Sequence, residues 1–218
     1  MATTSTSKRR QEGSGETAVR ERILAAAFAA FMKNGYAVTS TLEIARSARV
    51  SKRELYALVG NKQELLTACI SERARRLDVP ADLPVLRDRH TLAQVLASVG
   101  TMLVGEISDP TVIAVFRLAI AEVVRAPKVG RTLDSIGRET SRAALREIMA
   151  RAKAAGLLTG GPAELAEQFA GLLWRDLMVS LLLGVAERPN RREIARRARN
   201  AAADFLRLHP LPNDEAAA

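Results

Sequence analysis

Two helix-start signatures sit close together in this chain: Ser40 with Glu43, and Ser51 with Glu54. In each, the serine hydroxyl can accept from the backbone N–H three residues on, while the glutamate reaches back to the serine's own N–H. Starts so close leave room for only a short helix between them. Residues 35–66 therefore read as two short helices joined by a tight turn, with a third following. Upstream, the apolar series Ile23, Leu24, Ala27, Phe28, Phe31 marks one buried helix face. Gly35 can take the left-handed conformation that stops that helix. Leu42, Ile44, Ala45 and Ala48 supply the inward face of the first short helix, and Leu55 and Val59 that of the second. Ser51, Lys52, Arg53, Tyr56 and Ala57 are left near the start or on the outer side of the second. A helix entering the major groove uses such positions for phosphates and base edges. Glu54 is assigned first to capping, with acceptance from a cytosine amino group as its alternative.

Five short elements occur in order: Gly35-Tyr36, Thr39-Ser40, Ile44-Ala45, VSKRELY at 50–56 and NKQELL at 61–66. With the first helix they span roughly residues 17–70, and this stretch resembles the N-terminal DNA-binding domain of the TetR/AcrR family of bacterial regulators. The resemblance implies an all-α fold: a three-helix helix-turn-helix DNA-binding domain followed by a helical ligand-binding and dimerisation domain. The run from Pro110 to Gly184 is similar to the C-terminal domain of the AefR-like branch. Residues and resemblance together assign DNA contact to Thr39, Ser40, Arg49, Ser51, Lys52, Arg53, Tyr56 and Lys62. Lys62 matches the family position that meets the DNA backbone. Three departures stand out. Arg49 occupies the turn position usually held by glycine, and Arg53 the place of a small residue. Ala57, Leu58 and Val59 replace an aromatic-rich triplet.

Charge points the same way. Residues 1–77 hold 14 Lys or Arg against 7 Asp or Glu, a net of +7, while residues 78–218 hold 19 against 17, a net of +2. Such a field attracts polyanions, though alone it does not separate DNA from RNA or an acidic membrane. Apolar residues make up 48% and aromatics only 4%, with alanine and leucine abundant, which favours helices packed on helices. Cys69 is the single cysteine, so no intrachain disulfide forms and a reducing cytoplasm fits. It reads as a small buried apolar residue ahead of a redox switch. The polar start carries Lys8, Arg9 and Arg10 with no apolar core behind them, unlike a signal peptide. The longest apolar stretch, Leu177–Ala186, is too short to span a bilayer.

The expected organisation is a disordered basic tail at 1–15, the DNA-binding domain at 16–77, the helical domain at 78–208 and a loose tail at 209–218. The basic triplet either reaches phosphates or a minor groove, or is solvated. Helix one is expected from near Thr17 to Asn34, and a fourth helix from near Asn61 to about Leu77. Pro80 and Pro84 mark a linker. Further helices are placed at Arg89–Ile107, Pro110–Arg125, Arg131–Ala155, Pro162–Val185 and Arg191–Leu208. Asn190 with Glu193 repeats the capping spacing, and Gly156 closes the Arg131 helix.

The Pro162–Val185 helix is apolar on nearly every side and must be covered on several. Phe169, Leu173, Leu177 and Leu181 are the expected dimer seam, with an ordinary monomer core as the alternative. Arg175 and Asp176 interrupt this run, at a dimer seam, a pocket or an exposed strip. Met102, Phe116, Ile120, Leu173, Trp174 and Met178 are candidate pocket lining for an apolar effector, with Arg117 to orient an anionic one. At helical spacing such residues are also plain core.

No catalytic group or cofactor is implied. His90 and His209 are isolated, and no metal-ligand pair lies on a helix. Gly100 and Gly105 have P-loop-like separation, but Glu106 and Ile107 stand where phosphate chemistry needs Lys and Ser or Thr. The expected function is a cytoplasmic, homodimeric, ligand-responsive transcriptional regulator: a repressor on a palindromic DNA operator, released by a small molecule. The rival from another class is an enzyme, which the isolated histidines and the missing phosphate-loop residues disfavour; a third reading is a non-specific polyanion or membrane-surface binder. The turn between two capped short helices argues against it, since a surface-lying helix needs no such turn.

Overall fold

A computed structural model describes residues 4–75 and 84–211, with side chains from Gly15 onward. The side chains of Lys8, Arg9 and Arg10, linker residues 78–83 and tail residues 212–218 lie outside the described set. The described residues form α1 (Thr4–Asn34), α2 (Thr41–Ser47), α3 (Lys52–Leu58), α4 (Lys62–Ala74), α5 (Arg89–Ile107), α6 (Pro110–Ala121) and α7 (Lys128–Thr132). A π-helical turn, Leu133–Arg138, then leads into α8 (Glu139–Ala154), α9 (Pro162–Trp174), α10 (Leu177–Leu183) and α11 (Arg191–Leu208). There is no strand among them.

The chain divides into two compact units: residues 1–73 with 117–136, and residues 74–116 with 137–218. In the first, α1, α2 and α3 pack on one another. Ile23, Ala27 and Phe31 of α1, Ile44 and Ala45 of α2, Leu55 of α3 and Leu65 of α4 are buried. Cys69 is buried too, its thiol directed at the Leu24 carbonyl at 3.5 Å. Burial pushes that thiol up to about 11, outweighing the nearby Arg73 and Arg20, so little reactive thiolate exists at neutral pH. Helix α1 starts at Thr4, ahead of the expected Thr17, and takes in most of the segment read as a disordered tail. Once an alanine-rich helix is nucleated, each added residue gains a hydrogen bond. Ser and Thr oppose that by only about 0.5 kcal/mol each, and Gly by about 1. Leu42, expected to face inward, is 44% exposed.

In the second unit α5 packs along α11, and α9 lies against α8 and α11. Helix α11 starts on a complete capping box: Asn190 Oδ1 accepts from Glu193 N–H at 3.1 Å, and Glu193 Oε2 accepts from Asn190 N–H at 2.8 Å. Gly100 is where the helices come closest. A Cβ there would lie 3.1 Å from Leu173 Cδ1 and 3.2 Å from Ala198 Cβ, so even a methyl would force the packing to shift.

The expected single helix over 162–185 is two. It breaks at Arg175, whose backbone takes φ 45°, ψ −125°. That conformation is strained for a residue with a Cβ, and α11 holds it in place. The Arg175 guanidinium pairs with Asp204 at 2.8 Å. Arg197 donates to the Leu173 and Trp174 carbonyls, both at 3.2 Å, satisfying acceptors left free at the end of α9. Arg175 and Asp176 are exposed and mark the break. The expected dimer seam is corrected accordingly: Phe169, Leu173, Leu177 and Leu181 are buried in the core of their own chain. The all-round apolar pattern of α9 is explained by α5, α8 and α11 covering it. The expected helix over 131–155 is likewise divided, by the π-helical turn.

Candidate nucleic-acid interface

The turn between α2 and α3 and the first turn of α3 build the candidate surface. Ser40 Oγ accepts from Glu43 N–H at 3.1 Å, and Ser51 Oγ from Glu54 N–H at 3.0 Å, so both predicted caps form. Neither glutamate returns to its serine's own N–H; at α2, Glu43 instead accepts from Asn34 Nδ2 at 2.7 Å. Helix α2 closes with Arg49 N–H on the Arg46 carbonyl and Val50 N–H on the Ala45 carbonyl, at 3.1 and 3.0 Å. In that closure the penultimate residue is left-handed, and Arg49 has φ 55°. The arginine thus adopts the backbone its usual glycine would take, at a strain of roughly 1–2 kcal/mol, and its side chain is exposed.

Leu55 anchors α3 inward, while Ser51, Lys52, Arg53, Glu54, Tyr56 and Ala57 are exposed. Lys52 Nζ lies 5.7 Å from the Tyr56 ring centroid. The Tyr56 and Thr41 hydroxyls are 3.4 Å apart, which orients the ring against the start of α2. Lys62 Nζ donates to the Ala37 carbonyl at 3.0 Å and sits 4.7 Å from the Tyr36 ring centroid. Partial burial and the Lys128 charge together hold the Lys62 ammonium below the usual lysine range, against a pull from Glu122. Thr39 departs from expectation. It is 1% exposed, and its hydroxyl donates to the Gly35 carbonyl at 2.7 Å and approaches the Ala30 carbonyl at 3.2 Å. Its side chain clasps the α1–α2 turn and is unavailable to a ligand.

Residues 23–69 match the family described as "Bacterial regulatory proteins, tetR family", and residues 94–209 match "AefR-like transcriptional repressor, C-terminal domain". The chain belongs to the TetR family. Its fold and family are those of DNA-binding transcriptional regulators. Among solved structures it is similar to the "Flavonoid-responsive Regulator FrrA" at 26% identity and TM-score 0.75, covering 90% of this chain and 98% of that one. A TetR regulator from Agrobacterium tumefaciens is 27% identical, with TM-score 0.73 and coverage of 90% and 97%. A putative TetR-family regulator from Mesorhizobium loti is 25% identical, with TM-score 0.71 and coverage of 90% and 98%. Among curated proteins none matches.

Beneath the TetR-type turn sits a carboxylate that sequence reasoning missed. Glu122, just past α6, is 7% exposed, and its Oε1 accepts from Ala37 N–H at 3.0 Å. Gly35 has φ 84°, and a Cβ there would lie 2.8 Å from that oxygen. Alanine at 35 meets both a strained backbone and a carboxylate held by its own hydrogen bond. Gly35→Ala is expected to cost about 1–3 kcal/mol, read as a lower urea midpoint. An unchanged midpoint would contradict this packing.

The sequence-predicted pocket residues do not converge. Leu173 is buried core, and Met102, Phe116 and Met178 are half-buried against it. Ile120 is 58% exposed, and with Arg117 it belongs to the first unit. Of them, Trp174 alone lines a cavity of about 370 Å³ among α5, α8 and α9 in the second unit. Leu103, Ile107, Leu145 and Ala170 belong to its apolar wall, and Arg138, Arg142 and Arg146, with Ser141 and Glu167, to its polar side. Its lining comes from α5, α8 and α9, far apart in sequence, so periodicity within any one helix does not assemble it. Among the described residues no helix is long and apolar enough to cross a membrane.

Proposed function

We propose that this protein is a homodimeric, ligand-responsive repressor that binds a palindromic operator. The observation carrying this is the first turn of α3, capped by Ser51 and presenting Lys52, Arg53 and Tyr56 outward while Leu55 anchors it. Each subunit seats that turn in a major groove. Two-fold symmetry then sets half-sites about one helical turn apart, on the order of 34–36 Å. Arg49, Lys52, Arg53, Tyr56 and Lys62 are the side-chain contacts, with Ser40 and Ser51 limited to backbone approach by their capping roles.

The dimer face uses apolar side chains that the chain leaves uncovered: Val179 and Leu183 on α10, and Val185 just beyond it. The effector occupies the cavity beside Trp174. Its size falls within the range of small-molecule sites, and arginines at one wall suit an aromatic effector bearing acidic or phenolic oxygens. The flavonoid-responsive relative supports that class. Effector binding stabilises a subunit arrangement whose recognition helices no longer match the operator, and by linkage operator binding weakens effector affinity by the same factor.

Selection of bound duplexes from random or genomic DNA tests the reading. It is expected to return a two-fold symmetric consensus; recovery of sequences without any consensus would refute operator recognition.

A further inference from the structure

Beside the recognition turn lies a concave groove of about 640 Å³ within the first unit. Tyr36, Tyr56, Asn61 and Lys62 line it from the DNA-binding elements, and Arg125, Lys128 and Arg131 line it from the segment after α6. We propose that this groove seats a backbone phosphate of the bound duplex, so that the DNA interface extends beyond the helix-turn-helix to residues 125–131. The inference rests on the DNA-binding reading above and adds contacts which that reading does not contain.

Four observations support it. The first is charge: four of the lining residues are cationic and none is Asp or Glu. Glu122, bound to Ala37 N–H, is an acid that acts on Lys62 from beneath. The second is crowding. Lys62 and Lys128 flank the same Tyr36 ring at 4.7 and 5.2 Å from its centroid, and the Lys128 charge disfavours that of Lys62. A phosphate between them would relieve that repulsion. The third is donor supply. Lys62 gives one N–H to the Ala37 carbonyl and has two more, while Arg125, Lys128 and Arg131 are exposed. The positive end of α4 also begins at Lys62. The fourth is continuity. Tyr56 belongs both to α3 and to this groove, so a duplex meeting α3 brings its backbone to the groove.

The test is the salt dependence of duplex binding by the full chain. Lys128→Gln and Arg131→Gln are each expected to reduce the log–log salt slope by about one per engaged subunit. They should weaken selected and scrambled duplexes alike by several-fold at low salt. Lys128→Arg should restore the slope. Lys153→Gln, which removes an exposed charge from α8, should leave it unchanged. If Lys128→Gln and Arg131→Gln keep the wild-type slope while Lys52→Ala lowers it, the groove assignment fails and the recognition helix stands. If Lys52→Ala also has no effect, the DNA-facing reading fails with it. A titration with inorganic phosphate separates the other source of the same chemistry. Saturable thermal stabilisation that Lys128→Gln abolishes, with duplex binding untouched, would assign the groove to a free phosphorylated molecule and overturn the proposal.

Discussion

Phe169→Ala is expected to lower the unfolding free energy by about 3–5 kcal/mol, the range for deleting a fully buried phenyl group. Phe169 is inaccessible to solvent and meets Phe205 edge-on, with centroids 5.6 Å apart and planes at 78°. Its Cζ also lies 3.5 Å from where a Cβ would stand on Gly100. It therefore closes the contact of three helices, α5, α9 and α11, and alanine would leave a cavity that none can readily fill. The outcome separates two placements of this residue. At a dimer seam, Phe169→Ala would leave a folded subunit with weakened, concentration-dependent association. In the core, the loss appears in the urea midpoint whatever the protein concentration. Denaturation at several protein concentrations, with sedimentation alongside, distinguishes the two.

Arg53→Ala should have the largest effect on operator binding. The side chain is exposed in the first turn of α3, where an arginine can address guanine O6 and N7 together. Losing such a pair costs about 1–3 kcal/mol, roughly 5–150-fold per half-site, and a symmetric dimer loses it twice. Lys52→Ala should weaken all duplexes more evenly and flatten the salt dependence, as expected for a phosphate contact. Both residues are exposed, so thermal stability should stay near wild type. Equal affinity in the wild type and both variants would remove α3 from the interface.

Much of this architecture could be read from local signals. The helix bounds Arg89–Ile107 and Arg191–Leu208 coincide with those observed, because Asn190–Glu193 and the apolar periodicity are features of adjacent residues. The caps at Ser40 and Ser51 were legible for the same reason. What stayed hidden depends on distant partners. The break at Arg175 is stabilised by Asp204 and Arg197 from α11; Arg175 and Asp176 interrupt the apolar run, but two charges alone do not tell a helix end from an exposed strip of one continuous helix. Thr39 carries a family motif but is buried, because its hydroxyl is spent on the Gly35 and Ala30 carbonyls. Residues 117–136 group with the N-terminal unit through Glu122 on Ala37 and Thr132 on Gln63. Those pairs are too far apart in sequence for any spacing rule to connect. The cavity stayed hidden likewise, since its lining comes from α5, α8 and α9, which no local periodicity connects.

The most direct measurement is a binding titration of the full chain against a selected duplex and its scrambled counterpart, at two salt concentrations, beside Arg53→Ala. The selected duplex should bind at least about 10³-fold more tightly, and Arg53→Ala should shrink that ratio. Equal affinity for the two duplexes, unchanged by Arg53→Ala, would mean that the first turn of α3 does not read DNA sequence.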